Sequence, residues 1–148
     1  MSMQSVLTAI YEKINPSAGS SGFKSSFGGG INTRGRIFQN QASQDTVLPL
    51  CIYDIANEET TAYLGQTAAS IHELTVNFTM YFRKVDGIQT GMVSENQLFD
   101  LLHMQAISSS DTDIDSIKSV CTSRGTPTIE VDSVSISCSY RVLVSKKA

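Results

Sequence analysis

The most regular pattern in the chain is an alternation of apolar and polar residues between Leu74 and Phe82. Every second residue is large and apolar, and Thr, Asn or Tyr stands between them. A period of two is typical of a strand that buries one face, and this one would span roughly 30 Å. The segment Asp132–Val144 has the same alternation. We therefore expect the two strands to lie side by side, with the first at the centre of a sheet.

Two segments have the apolar spacing of amphipathic helices. The first runs from about Ser5 to Ile14, and Pro16 follows it. The residue before a proline disfavours the helical conformation, so we expect the helix to end there. The second helix is expected to begin near Ser94, because Ser94 and Gln97 have the spacing of a capping box. Its leucines would pack on the sheet.

Further strands are expected near residues 35–38, 47–55 and 117–122, and the final strand from Thr128. Pro49 cannot donate a hydrogen bond to a neighbouring strand, so it indicates a sheet edge or the start of a strand. The predicted order of elements is α-β-β-β-α-β-β. This order favours a single α+β domain over residues 1–148, with a mainly antiparallel sheet packed with two helices.

The segment Ser17–Gly35 is rich in serine and glycine. Such a composition buries little apolar surface, so it predicts a flexible loop at about residues 17–35. Phe23 and Phe27 are the exceptions within it. We expect these two rings to dock on another surface, such as a neighbouring copy of the chain.

Composition narrows the possible function classes. The formal charge of the 148 residues is −3, and the basic residues are scattered, which argues against tight binding of nucleic acid. The chain has no apolar run of about 18 residues and no N-terminal pattern of a secretory signal, so we expect neither a membrane span nor secretion. Cys51, Cys121 and Cys138 are far apart and odd in number, which predicts buried reduced thiols and folding in a reducing cytoplasm.

No motif predicts catalysis, a cofactor or a metal. The segment Gly19–Ser25 has glycines and a lysine but not the spacing of a phosphate-binding loop. The segment Asp111–Thr122 begins like a calcium loop but lacks glycine at its sixth position and glutamate at its twelfth. His72 has no second histidine four residues on. We therefore expect that the protein is not an enzyme and has no catalytic, metal-binding or cofactor-binding residues.

Three short motifs resemble those of the tail terminator, or tail-completion, proteins of long-tailed bacteriophages. They are Val6–Tyr11, Gly35–Phe38 and Leu48–Tyr53. They give a short helix, a Gly-x-Arg-Ile strand and a proline-containing strand in that order. The long alternating strand and the helix around Leu98–Leu102 continue the resemblance over nearly the whole chain.

The resemblance implies a structural virion protein that forms a ring of six copies. The ring would cap the tail tube, end tail polymerisation and join the tail to a neck or head-completion protein. Genomic DNA would pass through its pore without specific binding. The protein would be assembled in the host cytoplasm and reside in the virion tail or neck. The alternatives are another head–tail connector or neck subunit and, in a different class, a small cytoplasmic hydrolase or ligand-binding domain.

Candidate contact residues follow from this interpretation. The candidates for contacts between subunits are Phe23, Phe27, Arg34, Arg36 and Pro49. The candidates for contact with the tube or the neck are Glu58 and Glu59. Both glutamates lie in Ala56–Ser70, which is expected to be a polar connection between two strands.

Overall fold

In the computed structural model, which describes residues 3–19, 22–42, 46–62 and 70–146, a seven-stranded and mostly antiparallel sheet packs with three helices. The helices are α1 (Met3–Ile14), α2 (Gly22–Ser26) and α3 (Gly87–Leu102), with a 3-10 turn at Lys84–Asp86. The strands are β1 (Ile37–Gln39), β2 (Leu50–Ala62), β3 (Ser70–Arg83), β4 (Gln105–Ala106), β5 (Ile114–Ser123), β6 (Thr128–Ile129) and β7 (Ser133–Lys146). The predicted α+β class is confirmed.

The order of strands in the sheet is β1-β2-β3-β7-β5-β4, and β6 pairs with β7. Strand β3 is paired with β7 along its whole length, from Ser70 opposite Lys146 to Arg83 opposite Ser133. Its other edge is paired with β2 from Ala62 to Leu50. The prediction that the alternating strand lies at the centre, beside the final strand, is therefore confirmed. Strands β1 and β2 are parallel, whereas the other described pairs are antiparallel.

The helices cover one face of this sheet, where the apolar side chains of β3 and β7 converge. The buried residues of β3 are Leu74, Val76, Phe78, Met80 and Phe82. The Phe78 ring lies between two tyrosines, with its centroid 5.7 Å from that of Tyr53 and 5.6 Å from that of Tyr140. Aromatic pairs at such spacings add to the gain from burying apolar area.

Helix α1 is as predicted, whereas α3 begins earlier than predicted. The inward residues of α1 are buried, including Val6, Ile10 and Ile14. Helix α3 begins at Gly87, so Ser94 lies inside the helix and does not cap it. The expected capping box is therefore wrong. The first turns of α3 also expose Ile88 and Met92, and this outward apolar pattern hid the true start of the helix.

The segment at residues 17–35 contains ordered structure, so its interpretation as a flexible loop is corrected for the residues that are described. Residues Gly22–Ser26 form α2, and the rings of Phe23 and Phe27 are buried in the core. The Phe27 ring packs on Phe82 of β3, with centroids 5.7 Å apart. Burial of two phenylalanines outweighs the low apolar content of the surrounding segment. It also leaves neither ring exposed for contact with another copy.

The expected polar connection at Ala56–Ser70 is also corrected, because strands occupy both of its ends. Strand β2 continues to Ala62 and β3 begins at Ser70, and the intervening residues 63–69 lie outside the described part of the chain. Glu58 pairs with Leu74 and Glu59 with Glu73, so both glutamates belong to a long hairpin. Backbone pairing between neighbouring strands holds this polar sequence in an extended conformation, which local composition did not predict.

We predict that Phe78→Ala lowers the free energy of unfolding by about 3–5 kcal/mol, because it leaves a cavity between two tyrosine rings. Thr79→Ala on the opposite face is the matched control and should cost about 0.5 kcal/mol. Urea unfolding followed by circular dichroism measures both values. Equal losses in the two variants would contradict the assignment of the buried face.

Candidate interaction surfaces

A groove of about 440 Å³ lies between α1 and the edge strand β1. It is lined by Gln4, Leu7, Thr8, Tyr11, Ile37, Phe38, Gln39 and Tyr53. The helical period creates it: α1 turns Val6 and Ile10 into the core, which places Leu7 and Tyr11 on the neighbouring side, one helical turn apart. The floor and far wall come from β1 and β2. We call this surface the α1–β1 groove.

Three of the candidate interface residues lie around this groove. The guanidinium carbon of Arg34 is 5.0 Å from the centroid of the Tyr11 ring, and Arg34 also forms an ion pair with Glu12. The Arg36 side chain donates from Nε to the Pro49 carbonyl oxygen at 2.9 Å. Arg34 is therefore a surface cation at the rim, whereas Arg36 and Pro49 fasten the start of β1 to the start of β2. Because β1 pairs with β2 immediately after Pro49, the edge strand there is β1 and not β2.

Burial raises the pKa values of a tyrosine that lines the groove and of two cysteine thiols behind it. Burial, with smaller effects of Tyr11 and Cys51, raises the pKa of Tyr53 to about 12. Burial also raises the pKa of the Cys51 thiol well above its usual value, and that of Cys138 to about 12. The two thiols therefore stay protonated at neutral pH, and neither supplies a thiolate nucleophile.

A second surface lies at the opposite edge of the molecule, where the start of α3 meets the β6–β7 hairpin. Val85, Ile88, Met92, Ile129 and Val131 are exposed there, and we call these five residues the apolar end. Ile88 and Ile129 line one cleft of about 540 Å³. Exposed apolar residues grouped in this way are typical of a surface that binds another protein.

The tip of the β6–β7 hairpin exposes two apolar side chains. Val131 is 86% exposed and Ile129 is 56% exposed. The turn is closed by a hydrogen bond from the Glu130 N–H to the Ser133 carbonyl oxygen at 2.8 Å. We define the hairpin tip as Ile129–Asp132. Sequence reasoning assigned this stretch to the final strand and missed its exposure, because core strands and exposed hairpins share the same alternation.

An arginine anchors the segment that leads into this hairpin. Arg124 follows β5, and its guanidinium donates two hydrogen bonds to the Glu95 carboxylate of α3, one of them from Nε at 2.8 Å. The same guanidinium lies 4.2 Å from the centroid of the Phe99 ring. Because Glu95 is only 6% exposed, Arg124 neutralises a buried carboxylate. This planar, bidentate arrangement fixes the base of the hairpin against α3.

Within residues 3–19, 22–42, 46–62 and 70–146, no group of three or more His, Cys, Asp or Glu side chains could hold a metal ion. In the segment that begins like a calcium loop, the Asp113 N–H donates to the Asp111 carboxylate at 2.9 Å, so that carboxylate stabilises its own loop. No helix in this part of the chain is long and apolar enough to cross a membrane.

Comparisons with known proteins bear on the fold. No family model matches the chain, and no curated protein matches it. A solved structure that bears no functional name matches with a TM-score of 0.54 over 96% of each chain, at 14% sequence identity. At this identity the likeness shows the α+β fold alone.

We predict that Arg124→Ala destabilises the protein because it leaves the buried Glu95 carboxylate without its cation. The loss should be about 1–3 kcal/mol in the free energy of unfolding. In a Glu95→Gln background the same substitution should cost much less, since the uncharged amide needs no cation. A double-mutant cycle by urea unfolding measures the coupling. Additive losses would mean that the pair contributes nothing beyond its separate side chains.

We also predict a loss of stability at alkaline pH. The pKa values of Tyr53 and Cys138 are raised in the folded state. Their contribution to the free energy of unfolding is therefore full below pH 9–10, where both groups are still protonated in the unfolded chain. It is lost as the pH rises toward 12. Tyr53→Phe should reduce the pH dependence between pH 10 and 12 relative to the wild type. Urea unfolding at a series of pH values measures this, and identical slopes in the variant and the wild type would contradict it.

Proposed function

We propose that this protein is a structural subunit of a long-tailed bacteriophage virion, a tail terminator whose ring caps the tail tube and ends its growth. One observation carries the proposal: the three segments that resemble the terminator family, Val6–Tyr11, Gly35–Phe38 and Leu48–Tyr53, all contribute residues to the α1–β1 groove. Motifs that are distant in the chain thus build one surface. A shared function of that surface explains why they occur together.

The distribution of surfaces fits a ring subunit. A closed ring with head-to-tail contacts requires two different patches on each subunit. The α1–β1 groove and the apolar end provide two such patches, at opposite edges of one sheet. The mild net charge of −3 is compatible with a pore through which DNA slides without sticking.

A capping ring also needs a face that meets the tube and a face that differs from it. Otherwise each addition would recreate the growing end and growth would continue. The distal β2–β3 hairpin, which carries Glu58 and Glu59, is our candidate for the tube-facing or neck-facing element. It lies at the Ser70 end of β3, about 40 Å along the strand from the apolar end beyond Arg83. The two regions can therefore serve different partners.

We predict that tails made without this protein are overlong or remain without heads. The assay is tail length by electron microscopy in an infection complemented with wild type, with the double variant Glu58→Lys, Glu59→Lys, or with nothing. The double variant keeps a charged residue at both positions, so we expect it to fold. It should cap poorly if the hairpin meets basic groups on the tube.

The outcomes separate the alternatives. Normal tails attached to heads in the complete absence of the protein would overturn the terminator function. Tails of normal length that fail to join heads would instead identify a connector or neck subunit. Normal tails with the double variant would reject only the role of Glu58 and Glu59, and circular dichroism of that variant controls for its folding.

A further inference from the structure

We propose that the hairpin tip, Ile129–Asp132, of one copy inserts into the α1–β1 groove of the next copy. The inference deepens the proposed ring and rests on it, because it names the two surfaces that meet between neighbouring subunits. The occupant of the groove is therefore a second copy of this chain. The apolar side chain that enters the groove is Val131.

The topology places the two surfaces on opposite edges of the sheet. The groove lies beside β1, whereas β6 lies on the side of β7 that faces away from β3. Strands β2, β3 and β7 separate β1 from β6, which amounts to four strand spacings, or about 19 Å. A contact between opposite edges leaves a free tip and a free groove on every pair. It therefore repeats in one direction, and it ends only when the ring closes.

The shapes of the hairpin tip and of the α1–β1 groove favour this contact. The tip presents Val131 and Ile129 on a short hairpin that is closed by its own backbone hydrogen bond. Arg124 holds the segment that leads into the hairpin on Glu95, and the pairing of β6 with β7 holds the hairpin itself, which limits the conformational freedom lost on docking. The groove offers about 440 Å³ between the side chains of Leu7, Tyr11 and Phe38 among others, and is open to solvent at the edge strand. An apolar side chain that enters it removes apolar surface from water on both copies.

The charges on the hairpin tip and at the rim of the groove favour the same contact. Glu130 and Asp132 flank Val131 at the tip. Arg34 lies over Tyr11 at the rim of the groove, and its partner there is the partly exposed Glu12. Exposed ion pairs contribute little, so Arg34 can turn to an acidic residue of the tip at small cost. The carboxylates of the tip would then meet a cation on the neighbouring copy.

Backbone pairing at the open part of β2 is a poorer alternative. Beyond Tyr53, β1 no longer covers β2, and the described residues supply no other strand on that side. This edge has a bulge between Ile55 and Asn57, and its sequence continues with Glu58 and Glu59. Bulges and charged residues on an edge strand oppose the addition of another strand. The groove is therefore the better docking site for a neighbouring subunit.

The test links the two surfaces with a short bismaleimide. Val131→Cys and Thr8→Cys, which lines the groove, are introduced together in a Cys121→Ser background, where the remaining Cys51 and Cys138 are buried. The variant is supplied to an infection that lacks the protein, and the assembled tails are treated and analysed on a denaturing gel. A ladder that rises to the closed ring is expected. Either single variant should give monomers, since each presents a thiol on only one of the two surfaces.

Four results are distinguishable. Tails of normal length with the ladder support the contact, whereas tails of normal length with no ladder overturn it and leave the terminator function standing. A dimer from Val131→Cys alone would show a tip-to-tip contact and would also overturn it. Normal tails in an infection that lacks this protein would overturn the terminator function itself.

A substitution tests the contact without cross-linking. Val131→Asp should raise the concentration needed for assembly at least tenfold by light scattering, because a carboxylate would have to leave water and lie against the side chains of Leu7 and Phe38. Met104→Asp is the matched control: Met104 is 72% exposed and lies near Ser119, about 25 Å along the sheet from the tip. It should change assembly less than twofold. Equal effects, with both variants folded by circular dichroism, would overturn the proposal.

Discussion

The fold depends on the requirement that β3 be hydrogen-bonded on both edges. Its apolar side chains can leave water only if the backbone that carries them also has partners. Strands β2 and β7 supply those partners along almost the whole length of β3. The buried face of this three-strand unit then needs a cover, and α1, α2 and α3 provide it. The position of each helix thus follows from one apolar face that must be shielded.

The elements that were predicted correctly from the sequence are those in which apolar residues recur at a regular spacing. Strands β3 and β7 alternate, and α1 repeats its apolar residues at helical spacing, so each buries a face that local sequence already defines. The distal part of β2 has no such signal. Its polar residues are extended because β3 lies beside them, a long-range cause that local composition does not contain. The start of α3 was missed because Ile88 and Met92 face outward and broke the expected pattern.

The candidate surfaces were partly predictable from the sequence. Arg34, Arg36 and Pro49 lie around the α1–β1 groove, as neighbours of the strand starts that had been identified. Phe23 and Phe27 were assigned outward but lie inward. An aromatic ring in a polar segment can dock on its own core or on a partner, and sequence alone does not decide which. Prediction of the groove itself would have required knowing which three segments of the chain meet in the fold.

The glycine-rich segment shows why composition misled. Lys24 is buried, and its Nζ donates to the carbonyl oxygens of Pro16 and Gly19. A Cβ atom at Gly35 would stand 2.7 Å from the Lys24 carbonyl oxygen, so no larger residue fits there without movement. Glycine at this position permits close packing around a buried lysine and does not indicate flexibility. The packed segment leads directly into β1, and it thereby fixes the strand that forms one wall of the groove.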